Sequence, residues 1–338
     1  MILNVNGLRC LVLGGSGFIG MNLCRALVAN GAAVRSFAWD VVPPDSGAHD
    51  WREQVEWICG SFSATDLVRK SMRNMDIVFH LISTTLPATS NQDVQVDLSS
   101  NVLPTLQMLE AAKNSGVRKV IFISSGGTVY GIPTRVPIAE DHATDPICAY
   151  GIHKLAVEKY LHLFYHLWKL DYGVLRVSNA YGVGQPINRA QGVIANFVHK
   201  VVNREPLEVW GDGSVVRDYI YIDDVIDACL LLVGHQGPSR VFNIGTGKGH
   251  SLLELISMIE NILGEPVDVR FREARTVDVP VNVLDVSRAT SELNWRPTTD
   301  LETGMRRMFE HAMRPRAYSG RGRVAVRMFA GTEKSAFE

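Results

Sequence analysis

Short apolar runs alternate with amphipathic stretches through the first half of the chain. Arg9–Leu13, Val34–Ala38, Val55–Cys59, Ile77–Leu81 and Val120–Ser124 read as strands, each bounded by polar, Gly or Pro residues. Helical spacing occupies Phe18–Asn30, Thr65–Met75 and a longer stretch within Gln92–Ser115, with Gly31 and Gly116 placed as stops. Strand–helix alternation of this kind predicts an α/β fold built on a parallel sheet covered on both faces.

The pattern loosens after about Tyr172. Val174–Val177 reads as another strand, Gly and Pro crowd Tyr181–Arg189, and Gln191–Asn203 is helical. Short strands are expected at Glu208–Trp210, Arg217–Tyr221, Val241–Ile244 and Val267–Phe271, with a helix over Ser251–Leu263. Residues 1–172 are therefore expected to form mainly one parallel-sheet domain, joined by the strand at 174–178 and part of 217–245. Residues 179–313 are expected to form mainly a smaller mixed α/β region. The Arg- and Gly-rich stretch 314–338 lacks apolar periodicity and reads as a mobile tail.

Of the 338 residues, 46% are hydrophobic, enough for a substantial core. The 34 Lys and Arg balance 35 Asp and Glu, so charge does not call for nucleic acid or an anionic membrane as partner. Five scattered cysteines without a CxxC argue against a disulfide framework or a zinc site and fit a reducing compartment. Neither a signal peptide nor a bilayer-spanning apolar run of roughly 20 residues is visible, and a cytoplasmic protein is expected.

Two motifs bring chemistry. Directly after the first strand stands Gly14-Gly15-Ser16-Gly17-Phe18-Ile19-Gly20, which satisfies GxGxxG. Its glycines allow a tight turn and close approach of backbone to a pyrophosphate, at the N-terminus of the following helix. This position, between strand and helix, predicts a Rossmann-type doubly wound sheet that binds a dinucleotide. An acidic residue for the adenosine ribose belongs at the end of the second strand, where Ala38 stands. Asp40 either binds the ribose from a displaced strand end or is a loop residue; NAD is preferred to NADP. The second motif is Tyr150-Gly151-Ile152-His153-Lys154, opening a helix that runs to about Lys169. Tyr150 and Lys154 share one helix face. A phenol has an ordinary pKa of about 10, and a neighbouring ammonium is expected to lower it, making Tyr150 a usable base.

With these motifs the chain resembles the extended short-chain dehydrogenase/reductase family, the NAD-dependent epimerases and dehydratases, and among them the nucleotide-sugar 4-epimerases typified by UDP-glucose 4-epimerase. The resemblance runs from about Arg9 to Met313. It is carried by the glycine loop, Ser99-Ser100-Asn101-Val102, Ile123-Ser124-Ser125-Gly126-Gly127-Thr128-Val129-Tyr130-Gly131 and the Tyr150–Lys154 segment. Arg176-Val177-Ser178-Asn179-Ala180-Tyr181-Gly182, Val216-Arg217-Asp218-Tyr219 and Leu293-Asn294-Trp295-Arg296-Pro297 complete the ordered set.

The resemblance implies a tightly held NAD cofactor, a nucleotide-sugar substrate and a homodimer formed through the helices within Gln92–Ser115 and Ala149–Lys169. It assigns Gly14, Gly17, Phe18, Ile19, Gly20, Asp40, Ser61, Phe62, Leu81, Asn101, Tyr150 and Lys154 to the cofactor. Asn179, Gln191, Val193, Val209, Trp210, Arg217 and Arg275 go to the nucleotide sugar, with Trp210 against the base and the two arginines on the diphosphate. The chain departs from the family at two places. Serine stands at position 61, where an acid usually meets the adenine. Gly126 stands where a Ser or Thr usually bonds the reacting sugar oxygen, which passes that role to Thr128, or to Ser125. Gly127 and Thr128 also replace the Asp-Glu pair of 4,6-dehydratases. Asn282 lies where epimerases differ and points weakly to a roomier sugar pocket. The implied reaction is epimerisation at sugar C4; the alternatives are an NAD(P)H-dependent 4-ketoreductase of a nucleotide-linked deoxy sugar and a non-catalytic dinucleotide sensor.

Overall fold

The computed structural model describes residues 5–40, 50–186, 192–273 and 279–313. Its first part runs β1 (Arg9–Leu13), α1 (Phe18–Ala29), β2 (Ala33–Ala38), β3 (Val55–Cys59), α2 (Thr65–Ser71) and β4 (Ile77–His80). Then follow α3 (Val94–Asp97), α4 (Leu103–Asn114), β5 (Lys119–Ser125), α5 (Ala149–Trp168) and β6 (Asp171–Val177). The remainder is β7 (Asn179–Tyr181), α6 (Val193–Val202), β8 (Leu207–Trp210), β9 (Val216–Tyr221), α7 (Ile222–Gly234) and β10 (Val241–Ile244). The chain continues with β11 (Gly249–Ser251), α8 (Leu252–Leu263), β12 (Val269–Arg272), β13 (Val281–Asn282), α9 (Ser287–Leu293) and α10 (Leu301–Met313).

Seven strands form one parallel sheet in the order β3-β2-β1-β4-β5-β6-β10. Its direction of travel reverses between β1 and β4, and that switch point opens a crevice at the carboxyl ends of the strands. The strands alternate sides residue by residue. Cys10 and Val12 of β1 face a core shared with α1 and α7, while Leu11 and Leu13 face one shared with α4 and α5. Central β5 is buried along almost its whole length, so its apolar run is continuous rather than alternating. The lysine at its start is buried too. Lys119 Nζ donates to the carbonyl oxygens of Leu232, Val233 and His235 at 3.2, 3.3 and 2.6 Å, closing the last turn of α7, and pairs with Asp171 at 3.1 Å.

A second, smaller sheet holds β11, β9 and β13 with β7 paired to β9, and β12 pairs with β8. Two expected stops appear as drawn: Gly31 and Gly116 take φ of +79° and +73° after α1 and α4. Helix α8 begins with a reciprocal cap between Ser251 and Glu254. The continuous helix expected within Gln92–Ser115 is instead broken. A π-helical turn, Leu98–Val102, separates α3 from α4, and a 3-10 turn at Ser90–Gln92 precedes them. Helices α7 and α10 and the short strands β7, β11 and β13 add elements that the spacing of apolar residues does not announce. No helix of the described residues is long and apolar enough to cross a membrane.

Candidate active site

The glycine loop leaves β1 at the switch point. Gly14 has φ +92° and donates its N–H to Phe37 O at 2.7 Å, tying the loop to the end of β2. A Cβ at Gly20 would stand 2.1 Å from Gly14 O, and one at Gly15 2.0 Å from Ser36 Oγ. No side chain caps α1, and its first turn holds no acid. The free N–H groups of that turn, with Gly17, Phe18, Ile19 and Gly20 around them, make a cradle open to a diphosphate. These residues fit a dinucleotide.

The adenosine side is less closely matched to expectation. Asp40 is exposed at a bend beyond β2, and exposed Trp39 precedes it. Ser61 Oγ shares a hydrogen bond with Ser63 Oγ at 2.7 Å. Phe62 is core: its ring packs on His80, which packs in turn on Phe122, each pair with centroids 5.2 Å apart. Leu81 follows β4 and donates its N–H to Leu13 O at 2.9 Å, beside Gly14.

Asn101 sits in the π-helical turn, 4% exposed. Its Oδ1 accepts from Thr84 N–H at 2.9 Å and its Nδ2 donates to Asp97 O at 2.9 Å, so this amide ties the loop after β4 to the turn, alongside the Thr84–Ser100 and Thr85–Asp97 side-chain bonds. Turns of this kind are frequent at functional sites because the extra residue re-aims a side chain.

Tyr150 and Lys154 occupy the first turns of α5. Lys154 is 3% exposed, and its Nζ donates to Ile123 O at 3.0 Å near the end of β5. The ammonium lies 4.8 Å from the Phe122 ring centroid and 5.5 Å from that of Tyr150. Burial lowers its pKa to about 8, against the pull of Asp97 and then Glu158. The expectation that Lys154 lowers the Tyr150 phenol is not met in this structure. Surrounding apolar atoms push the phenol up, and Cys148 and Asp97 add to the rise. The physical reason is that desolvation penalises a phenolate more than a lysine bonded elsewhere relieves it. None of the described residues hydrogen-bonds the Tyr150 hydroxyl, while its backbone N–H donates to Ser90 Oγ at 3.0 Å.

The loop between β5 and Tyr130 holds the hydroxyl candidates. Thr128 Oγ1 is buried and unpartnered, and Ser125 lies at the strand end. Gly126 has no room for a side chain, since a Cβ there would meet Leu284 Cδ1 at 2.5 Å. Beneath the loop runs a buried network. Ser124 Oγ donates to Glu158 Oε1 at 2.5 Å, and Arg176 donates to Glu158 and to Tyr130 Oη at 2.6 and 2.9 Å. Tyr130 Oη donates to Asn243 Oδ1 at 2.6 Å.

On the second sheet, Asn179 Nδ2 donates to Asp218 O at 3.0 Å, and Arg217 Nη1 donates to Val279 O at 2.6 Å. Val209 is fully buried, so its side chain is core, whereas Trp210 at the end of β8 is 41% exposed. Val193 opens α6 behind Gly192. Gln191 and Arg275 lie outside the described residues. Missed by the sequence reading were Asp97, His153, Thr84 and Thr85. The one signal for Asp97 was its place four residues before Asn101. Among the described residues no group of three or more His, Cys, Asp or Glu is arranged to hold a metal ion.

Residues 10–245 match the model of the NAD dependent epimerase/dehydratase family. The chain belongs to that family. The cofactor is therefore NAD, in keeping with the loop at Gly14–Gly20. The chain is 33% identical over 309 residues to the UDP-glucose 4-epimerase of Mycolicibacterium smegmatis, covering 90% of this chain and 98% of that one. It is also 33% identical over 306 residues to the dTDP-4-dehydro-6-deoxyglucose reductase of Escherichia coli, covering 89% and 96%. Among solved structures, the UDP-glucose 4-epimerase of Thermotoga maritima with UDP-glucose superposes with a TM-score of 0.84 at 33% identity, covering 90% and 98%.

Proposed function

We propose that this member of the NAD-dependent epimerase/dehydratase family is a nucleotide-sugar 4-epimerase acting on a UDP-hexose or UDP-N-acetylhexosamine. The observation that carries the reading is the pairing of Tyr150, whose hydroxyl has no hydrogen-bond partner among the described residues, with buried Lys154 near the carboxyl end of β5. Likeness to UDP-glucose 4-epimerases over nine-tenths of the chain supports the choice of reaction.

Tyr150 takes the proton of the C4 hydroxyl as general base in the loaded site, where the positive charges of Lys154 and of the cofactor's nicotinamide would oppose the burial that raises its phenol. NAD, when bound, would supply the reversible hydride chemistry at C4. Thr128, with Ser125 as the second candidate, donates a hydrogen bond to the reacting oxygen. Gly14, Gly17, Phe18, Ile19 and Gly20 hold the cofactor diphosphate, Asn101 fixes the neighbouring loop, and Ser61, Phe62, Leu81 and Asp40 line the way to the adenosine. Asn179, Val193, the backbone at Val209, Trp210 and Arg217 bind the nucleotide sugar, with Gln191 and Arg275 assigned there on resemblance alone. Positioning of these groups, rather than new covalent chemistry, is the protein's contribution.

A second copy of the chain completes the reading. Ile152, Leu163 and Leu167 form one exposed stripe on α5, and Val96, Leu98 and Leu103 are exposed on the helical stretch beside it. Such an apolar surface fits a homodimer. Light scattering should give twice the chain mass, and Leu163→Glu should give a monomer. A cytoplasmic location goes with free cysteines at all five described positions.

The reductase of similar identity keeps one rival in view, a 4-ketoreductase that consumes NAD(P)H. NMR of the protein with UDP-, dTDP- and GDP-sugars separates them. Inversion at C4 without added cofactor supports the epimerase; net oxidation of NAD(P)H by a 4-keto sugar establishes the reductase.

A further inference from the structure

A polar cluster centred on Asp97 and His153 lies directly against the Tyr150/Lys154 pair. Asp97, the last residue of α3, is 2% exposed. Its carboxylate accepts the Thr85 hydroxyl and lies 2.8 and 3.0 Å from Nδ1 of His153, which is 3% exposed. The Asp97 carbonyl holds Asn101, and Asn101 holds Thr84. Asp97 therefore joins three segments, its carboxylate holding the loop after β4 through Thr85 and the start of α5 through His153, and its carbonyl holding the turn that carries Asn101. The His153 ring meets the Tyr150 ring edge-on, with centroids 5.0 Å apart.

Charge decides what this arrangement does. The titratable and charged groups around Lys154 are Cys148, Tyr150, His153 and Glu158 on or at the cap of α5, Asp97 on α3 and His80 on β4. Glu158 already faces a permanent cation, Arg176, at 2.6 Å. Asp97 faces a histidine that burial and the Lys154 charge hold toward its neutral form. A neutral imidazole with its hydrogen on Nδ1 fixes the carboxylate without cancelling its charge.

We propose that Asp97 and His153 are positioning residues for the reaction: the imidazole pins the buried carboxylate between the loop after β4 and α5, and so fixes its negative charge against the residue next to Lys154. This rests on Tyr150 and Lys154 being the catalytic pair, so the test separates the two ideas.

Lys154 is followed in the cofactor-free protein by NMR of ε-13C-labelled lysine, its signal assigned with Lys154→Arg, and kcat, KM and bound NAD are measured in the NAD-loaded enzyme. Asp97→Asn should move the Lys154 midpoint acidward by about half a unit or more. It should shift the alkaline limb of kcat by the same amount, with KM and bound NAD little changed. His153→Leu should lower kcat roughly tenfold through a loosened carboxylate, and His153→Asn, which keeps a donor near the Nδ1 position, should restore most of it. An unchanged midpoint and limb in Asp97→Asn, with only thermal stability lost, overturns the proposal. If Asp97→Asn does not fold, Thr85→Val and His153→Leu are read on the same midpoint, and no movement in either is equally fatal. Turnover that survives Tyr150→Phe defeats the catalytic reading instead, and the Lys154 midpoint still decides what Asp97 does.

Discussion

The side-chain amide of Asn282 donates to the carbonyl oxygen of Gly126 at 3.1 Å, joining β13 to the loop after β5 across 156 residues of chain. The contact explains why glycine stands where relatives are expected to carry a hydroxyl. With β13 held this close, Leu284 and the Arg176 carbonyl fill the space a Cβ would need, at 2.5 and 3.1 Å.

Restoring the family's hydroxyl by Gly126→Ser should therefore fail. Overpacking of this kind costs about 1–3 kcal/mol. Thermal unfolding should show the loss, and the assay should show no gain in turnover.

Thr128 is the better candidate for the hydrogen bond to the sugar, because its buried hydroxyl has no partner. Thr128→Val keeps its shape. It should lower kcat roughly 10- to 100-fold, the worth of one hydrogen bond to a charged group, with KM nearly unchanged. A larger loss in Ser125→Ala would hand the role to Ser125.

If Lys154 holds the charge on Tyr150, turnover should depend on pH. Burial lowers its pKa to about 8, so the ammonium is present below that value and lost above it. Turnover should fall as pH rises through about 8. In Lys154→Arg that limb should vanish whatever the cost in rate, since a guanidinium stays charged beyond pH 12. A kcat profile identical in the two proteins would exclude Lys154 as its source.

Glu158 and Arg176 are buried together, their side chains 4% and 5% exposed. Removing one partner leaves an uncompensated charge, which costs about 3–5 kcal/mol. Glu158→Gln should lower the denaturation midpoint accordingly, and Glu158→Gln combined with Arg176→Met should recover part of the loss.

The sheet was legible because its strands are short apolar runs closed by glycine, proline or polar residues. Arg9–Leu13, Val55–Cys59 and Val241–Ile244 begin and end where the sequence places them. Helix α7 was not, since Ile222–Gly234 follows β9 without an intervening turn and is buried on most of its circumference, so no punctuating residue separates strand from helix. Strands of two or three residues, such as Val281–Asn282, carry too few positions to show alternation. In the site, the glycine loop and the Tyr150/Lys154 spacing are local, so the sequence shows them. Asp97 and His153 lie 56 residues apart, and their bond exists only once α3 and α5 pack. The effect of Lys154 on Tyr150 was misjudged for a related reason: spacing gives neighbours, while burial, which decides the phenol's acidity here, comes from the whole fold.

The π-helical turn at Leu98–Val102 makes chain length itself a determinant of the site. One inserted residue rotates everything beyond it by roughly 100° relative to an unbroken α-helix. Deleting a single codon there would preserve the chemistry of every remaining side chain and still swing either the amide of Asn101 or the packed face of α4 out of register. In this stretch a one-residue deletion should therefore cost more than a conservative substitution at the same place.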